Sequence, residues 1–302
     1  MILFQRKIIY MGYAPPGARA ETINPSDPLL QRMKWEEIDL ESEEGVCLKG
    51  MVLQKQKQST RASAPTIILY LQGNAGNTLH RLPVFEKLLN TTKTSDVAIF
   101  AVAPRSYWLS SSRTPSEKGF LQDYRSALLY AAKRWPHSPL VLYGHSLGGS
   151  VAVCLLSTLK LEPETRRIKG LILENAFISV PEMVRTLYPY RWLPYYHLGP
   201  FVWDRWDVLR AIKEAGKESL LRRIGQGMLI INSEKDEIVP LWMGDAMCNT
   251  VKASFRDTSG RPPTRRVIIP TALHENAWRR REWSVAVGAY LDECAEKDRN
   301  DS

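Results

Sequence analysis

At 302 residues, 44% of them hydrophobic and 24% charged, the chain has the composition of one globular domain with a sizeable core. A formal charge of +9 raises the question of nucleic acid, but the basic residues are scattered and the densest runs, Arg166-Arg167 and Arg279-Arg280-Arg281, are short. No nucleic-acid partner is therefore expected; a solvated surface, with weak attraction to acidic lipid, accounts for the charge.

The apolar runs reach strand length and fall well below the ~20 residues of a membrane span. The opening ten residues are too short and too charged for a signal peptide. Cys47, Cys154, Cys248 and Cys294 stand far apart, without CxxC pairs or zinc-ligand spacing. They read as free buried thiols in a reducing compartment. The expected location is intracellular, either cytoplasmic or peripherally associated with a membrane.

In chain order, residues 1–28 are rich in Pro and Gly and read as an N-terminal arm; residues 29–298 form the main domain. Residues 35–40 and 46–53 alternate with the period-2 pattern of antiparallel strands, turning at Glu44-Gly45. Residues 66–71, 97–102, 140–143, 171–173, 228–231 and 267–269 are short continuous apolar runs suited to strands buried on both faces. Amphipathic helical patterns lie at 79–89, 117–135, 150–159 and 278–295. This alternation predicts an α/β architecture: a mostly parallel eight-stranded sheet with helices on both faces. The regularity breaks at about 177–223, an insertion expected to form a small lid.

Residues 140–149 carry the chemistry. A strand runs into Gly144-His-Ser-Leu-Gly-Gly149, and a small-residue helix follows. That is the nucleophile elbow of the α/β-hydrolase fold, where the serine sits on a strained turn and the glycines let strand and helix cross closely. Ser146 is then the candidate nucleophile. A serine hydroxyl needs a base and an orienting acid, which in this fold follow in the order Ser, acid, His. His274, just past the run 267–269, is the candidate base. His80 and His137 precede the serine, His145 is in the elbow, and His197 lies in the insertion, where a structural role is expected. Asp236, after the run 228–231, is the candidate acid; Glu234 and Glu237 are its neighbours and Glu174 is the runner-up. The backbone N–H groups of Leu147 and of Asn74, in Gln72-Gly-Asn-Ala-Gly76, are the candidate oxyanion donors.

The segments Leu69-Tyr-Leu-Gln-Gly-Asn-Ala-Gly-Asn77, His80-Arg-Leu-Pro83, Pro115-Ser-Glu-Lys-Gly119, Gly144 to Gly149, Leu173-Glu-Asn-Ala-Phe177, Asp236-Glu-Ile-Val-Pro240 and His274-Glu-Asn-Ala-Trp278 resemble α/β-hydrolase-domain serine hydrolases of the bud-emergence-suppressor type. They span roughly residues 66–290. The resemblance implies the same three residues, Ser146, Asp236 and His274, and ester or thioester hydrolysis. It also implies kinship with membrane-attached enzymes that remove acyl chains from proteins. Relatives often carry a membrane helix ahead of the segment matching Phe4 to Tyr10, at which this chain begins.

Two departures stand out. The loop that usually reads Tyr-Arg-Gly-Tyr-Gly is here Pro104-Arg-Ser-Tyr-Trp108, which implies an altered backbone beside the site and a narrower acyl pocket. The oxyanion loop begins Gln72-Gly73 in place of His-Gly, which implies retuning without loss.

Residues 188–206 hold eight aromatics in nineteen positions. Such a segment suits a lid over an acyl pocket, peripheral contact with a membrane surface through Arg191 and Arg205, or simple packing of the insertion. The leading reading is a serine hydrolase that cleaves a carboxylic ester or thioester of an acyl or other small-molecule substrate through an acyl-enzyme, with no metal and no cofactor. The alternatives are a serine peptidase of the same fold and a non-catalytic scaffold that retains it.

Overall fold

A computed structural model describes residues 4–56, 64–192, 194–255 and 264–301. Residues 1–3 of the arm and Leu193 of the insertion lie outside them. Eight strands, β1 (Met33–Ser42), β2 (Val46–Lys55), β3 (Thr66–Leu71), β4 (Val97–Val102), β5 (Leu140–His145), β6 (Ile168–Glu174), β7 (Leu229–Ser233) and β8 (Arg265–Ile269), form one sheet in the order β1-β2-β4-β3-β5-β6-β7-β8. β1, β2 and β4 pair antiparallel, and every pair from β4 through β3 to β8 is parallel. The chain adopts the α/β-hydrolase fold.

The continuous apolar runs of β3 to β7 are buried along their whole length, apart from Lys169 near the start of β6. This is the consequence of having helices on both faces. β8 departs from that expectation: it is the edge strand, and Ile268 is exposed. The β1–β2 hairpin turns through Glu44 and Gly45, both at positive φ.

The helices are α1 (Gln5–Ile9), α2 (Leu82–Leu89), α3 (Glu117–Arg134), α4 (Leu147–Thr158), α5 (Val180–Leu187), α6 (Val208–Glu214), α7 (Leu220–Gly225), α8 (Leu241–Ser254) and α9 (Arg281–Asp301). Helix α8 buries Met243, Gly244, Met247, Cys248 and Val251 on one side and leaves Asp245 and Asn249 exposed on the other. Three of the four cysteines are buried; Cys47 is exposed, contrary to expectation, and all four are free.

Between β6 and β7 the chain forms α5, a 3-10 segment (Pro194–Phe201), α6 and α7. The N-terminal segment lies across the loops after β3 and β4. Met11 N–H donates to the Asn74 carbonyl (2.6 Å), Gly76 N–H donates to the Ala14 carbonyl (2.7 Å), and Tyr10 is buried with its hydroxyl accepting from Trp206 Nε1.

The loop Pro104 to Trp108 corrects one expectation. Ser106 and Trp108, at the positions where the resemblance implies glycine, hold φ of 65° and 41°, a left-handed backbone that glycine adopts most readily. Trp108 does not narrow the cavity described below. Its indole is fully buried beneath the arm and donates to the Glu21 carbonyl (2.8 Å). The packing of that ring outweighs the ~1–2 kcal/mol cost of a left-handed non-glycine residue. Trp108→Gly should therefore destabilise the protein by about 2–4 kcal/mol, since losing a buried Trp costs more than the relief of strain returns. Urea unfolding would check this; a stabilised variant would refute it.

Candidate active site

The candidate residues lie where parallel strands end. Ser146 directly follows β5, Asn74 is three residues past β3, Asp236 three past β7 and His274 five past β8. In a parallel sheet all these carboxyl ends share one edge, so loops distant in sequence converge there.

Ser146 has φ 52° and ψ −119°, a strained conformation imposed by the crossing of β5 and α4. A Cβ on Gly144 would meet the Gly148 carbonyl at 2.5 Å, and one on Gly148 would run into the Leu71 carbonyl. Ser146 N–H donates to the Glu174 carbonyl (2.9 Å), which ties the elbow to the end of β6. Leu147 opens α4, so its N–H has no acceptor within the helix. Opposite, Gly73 passes close enough that a Cβ there would lie 3.6 Å from Ser146 Cβ. The carbonyl of Asn74 accepts from both Met11 N–H and Tyr107 Oη (2.8 Å), which fixes the loop.

The carboxylates near the histidine divide the bonding among themselves. Asp236 meets His274 Nδ1 at 3.0 and 2.8 Å, with both side chains buried. Its Oδ1 also accepts from Ile238 N–H and Val239 N–H, which sets the direction of the carboxylate. Glu237 accepts from His274 N–H (3.0 Å), and Glu234 accepts from Thr271 N–H (2.7 Å). Glu174, the alternative acid, is buried away from the imidazole, and Tyr143 Oη and Trp283 Nε1 both donate to it. Burial pushes its carboxyl pKa up, and the two donors only partly offset that.

The His274 carbonyl is held as firmly. Asn175 Nδ2 donates to it (2.8 Å) and His145 Nε2 faces it at 3.1 Å. Asn175 also bonds Ser233 through N–H and Oγ, so one side chain links the ends of β6 and β7 to the histidine loop. Sequence reasoning passed over Asn175. Its available signal was an Asn directly after a strand, since Asn is among the non-glycine residues that best tolerate a positive φ, here 49°.

Ser146 and His274 open into a cavity of about 340 Å³, together with Asn74 and Leu147. Its walls are apolar side chains from α5 and the segment after it (Met183, Leu187, Phe201), from Ile238, and from Ile8 and Met11 of the N-terminal segment. His197 is not among the lining residues; its Nε2 contacts the Arg191 carbonyl.

Glu275 sits at the rim and pairs with Arg81. Burial alone would raise its carboxyl, but the fields of His145 and Arg81 and the Arg81 hydrogen bond hold it at about 2. Among the described residues, His145, His274 and Glu275 bring ligand atoms within 4.8 Å of one another. Each of the three has one partner, His145 Nε2 the His274 carbonyl, His274 Nδ1 the Asp236 carboxylate and Glu275 the Arg81 guanidinium, while His145 Nδ1 is buried without a hydrogen-bond partner.

Fold and elbow together define the α/β-hydrolase class. Residues 110–206 match the family described as serine aminopeptidase, S33. Protein bem46 of Schizosaccharomyces pombe is 32% identical over 261 residues, covering 83% of this chain and 77% of its own length. The chain belongs to this bud-emergence-suppressor family of α/β-hydrolase domain proteins. It is also 33% identical over 204 residues to the lysophosphatidylserine lipase ABHD12 of Mus musculus, a match covering 65% of this chain and 48% of that lipase. The Pyrococcus furiosus esterase Pf2001 shares the fold, with a TM-score of 0.64 at 18% identity over 90% of this chain and 96% of the esterase.

Burial lowers the His145 pKa from 6.5 to about 4, favouring the neutral ring. Because the folded value is the lower one, this stabilisation is complete above pH 6.5 and is lost as pH falls towards 4. For a fully buried group it amounts to roughly 3 kcal/mol. His145→Gln keeps a donor for the His274 carbonyl and removes the titration. Urea unfolding of the wild type should therefore lose stability between pH 6.5 and 4 more steeply than the variant. Equal slopes would exclude His145 as the source.

Proposed function

We propose that this chain is a serine hydrolase that cleaves carboxylic esters or thioesters bearing an apolar acyl chain. The observation that carries the reading is the Asp236 carboxylate on His274 Nδ1, with Ser146 and His274 lining the same apolar cavity. With Asp236 fixing Nδ1–H, Nε2 of His274 is the basic nitrogen. It takes the Ser146 proton as Oγ attacks the acyl carbonyl. The Leu147 and Asn74 N–H groups stabilise the oxyanion. The tetrahedral intermediate collapses to an acyl-enzyme, and His274 passes the proton to the departing alcohol or thiol. Water, deprotonated by the same nitrogen, then releases the acid and restores Ser146.

The character of the cavity supports an acyl substrate, since its walls beyond the reacting groups are aliphatic and aromatic. The kinship with a lysophosphatidylserine lipase agrees with a lipid ester. The match to the serine aminopeptidase family keeps peptide hydrolysis as the second reading. Against it, Glu275, a rim carboxylate suited to an α-amino group, is already paired with Arg81.

The test is turnover of a water-soluble p-nitrophenyl ester, with fluorophosphonate labelling alongside. Ser146→Ala should abolish labelling and lower kcat by about 10⁴-fold or more, and Asp236→Asn by about 10³–10⁴-fold. Glu174→Gln, which keeps an acceptor for Tyr143 and Trp283, should stay within about threefold of wild type. Activity surviving Ser146→Ala would sink the mechanism, and a collapse in Glu174→Gln would move the acid to β6.

A further inference from the structure

Half of the large apolar side chains that stand exposed among the described residues fall in two short segments, residues 4–13 and 187–203. Phe4, Ile8, Leu187, Phe201 and Trp203 are each more than half exposed, and Trp192 is 78% exposed. The two segments are joined. Gln5 Nε2 donates to the Phe201 carbonyl (3.2 Å) and Gln5 Oε1 accepts from Trp203 N–H (2.8 Å), so one amide bonds the insertion backbone in both directions. Arg6 pairs with Asp204 and lies over the Trp203 ring at 5.7 Å. Ile8, Leu187 and Phe201 line the cavity while remaining exposed, so they form its mouth. The exposed apolar surface therefore continues through this mouth into the cavity that Ser146 lines.

The charge of this surface is mostly basic. Residues 4–13 and 187–203 carry three basic side chains, Arg6, Lys7 and Arg191, and no acid; at their flanks Arg185 pairs with Glu182, and Asp204, buried against Arg6, stands next to Arg205. Tryptophan and tyrosine beside arginine and lysine suit the boundary between headgroups and acyl chains, where rings sit among the chains and cations face anionic phosphate. No helix among the described residues is long and apolar enough to cross a membrane, so this surface would lie on a bilayer and not pass through it.

We infer that the face formed by α1 and the insertion docks on a bilayer containing anionic phospholipid, so that an acyl chain passes from the bilayer into the cavity without crossing water. The inference rests on the reading of the cavity as an acyl site, but docking itself does not require catalysis.

Cosedimentation with phosphatidylcholine vesicles, with and without phosphatidylserine, tests it. The wild type should sediment with the phosphatidylserine vesicles and be released by salt. The exposed double substitution Phe4→Ser with Trp203→Ser should weaken partition about tenfold or more, since both rings leave the lipid. Leu161→Ser, which alters an exposed apolar residue outside both segments, should leave it unchanged. Turnover of the soluble ester by the double variant should match wild type, which shows that the fold is intact. A wild type left in the supernatant, or an equal loss in Leu161→Ser, would overturn the docking face. Equal partition onto vesicles lacking phosphatidylserine would overturn the part assigned to the basic residues. A wild type that binds vesicles but turns over no ester would count against the proposed function alone.

Discussion

The crossing of β5 over α4 leaves no room for a side chain at Gly144, the end of β3 leaves none at Gly148, and the rest of the site is arranged around those contacts. They hold Ser146 in a conformation that an isolated chain avoids, and they fix where the first N–H of α4 points. Strain of this kind persists only if the surroundings over-determine it. Here they do: β5 is paired on both sides, its residues are fully buried, and Ser146 N–H is bonded to the end of β6.

With the serine fixed, the other groups need only be brought to it. Parallel strands deliver their following loops to one edge of the sheet, and the loops are then tied to one another by side-chain bonds. The backbone of His274 is the centre of these ties, with Glu237 on its N–H and Asn175 and His145 at its carbonyl. The backbone that carries the imidazole is therefore fixed, and Asp236 on Nδ1 sets the direction of the ring. Four carboxylates near the site thus have four different partners: an imidazole, two backbone N–H groups, and the Tyr143–Trp283 pair. Similar chemistry in sequence becomes distinct chemistry in space because each bond is short-ranged and directional.

The N-terminal segment is part of the site as well. Met11 holds the Asn74 carbonyl, Ile8 and Met11 line the cavity, and Gln5 bonds the insertion. Truncation here would loosen the loop after β3 and open one wall of the cavity, although the segment is distant in sequence from every candidate reacting group.

Much of the fold was legible because its signals are local. Continuous apolar runs marked β3 to β7, alternation marked β1 and β2, and the glycines around Ser146 marked the elbow. Each follows from what a few consecutive residues must do to bury themselves or avoid a clash. His274 followed from chain order and the scarcity of histidines. Position after the run 228–231 put Asp236 ahead of Glu174, Glu234 and Glu237, but the side-chain directions that give each its own partner cannot be read along the chain. Nor could the sequence show that Ser106 and Trp108 hold a glycine-like backbone, because the packing that offsets the strain comes from the arm around Glu21, far away in the chain. The edge position of β8, the bonds of Asn175 and the cavity wall built from α1 were decided only by tertiary structure. Each depends on segments distant in sequence, and a pattern read along one chain contains no distance between them.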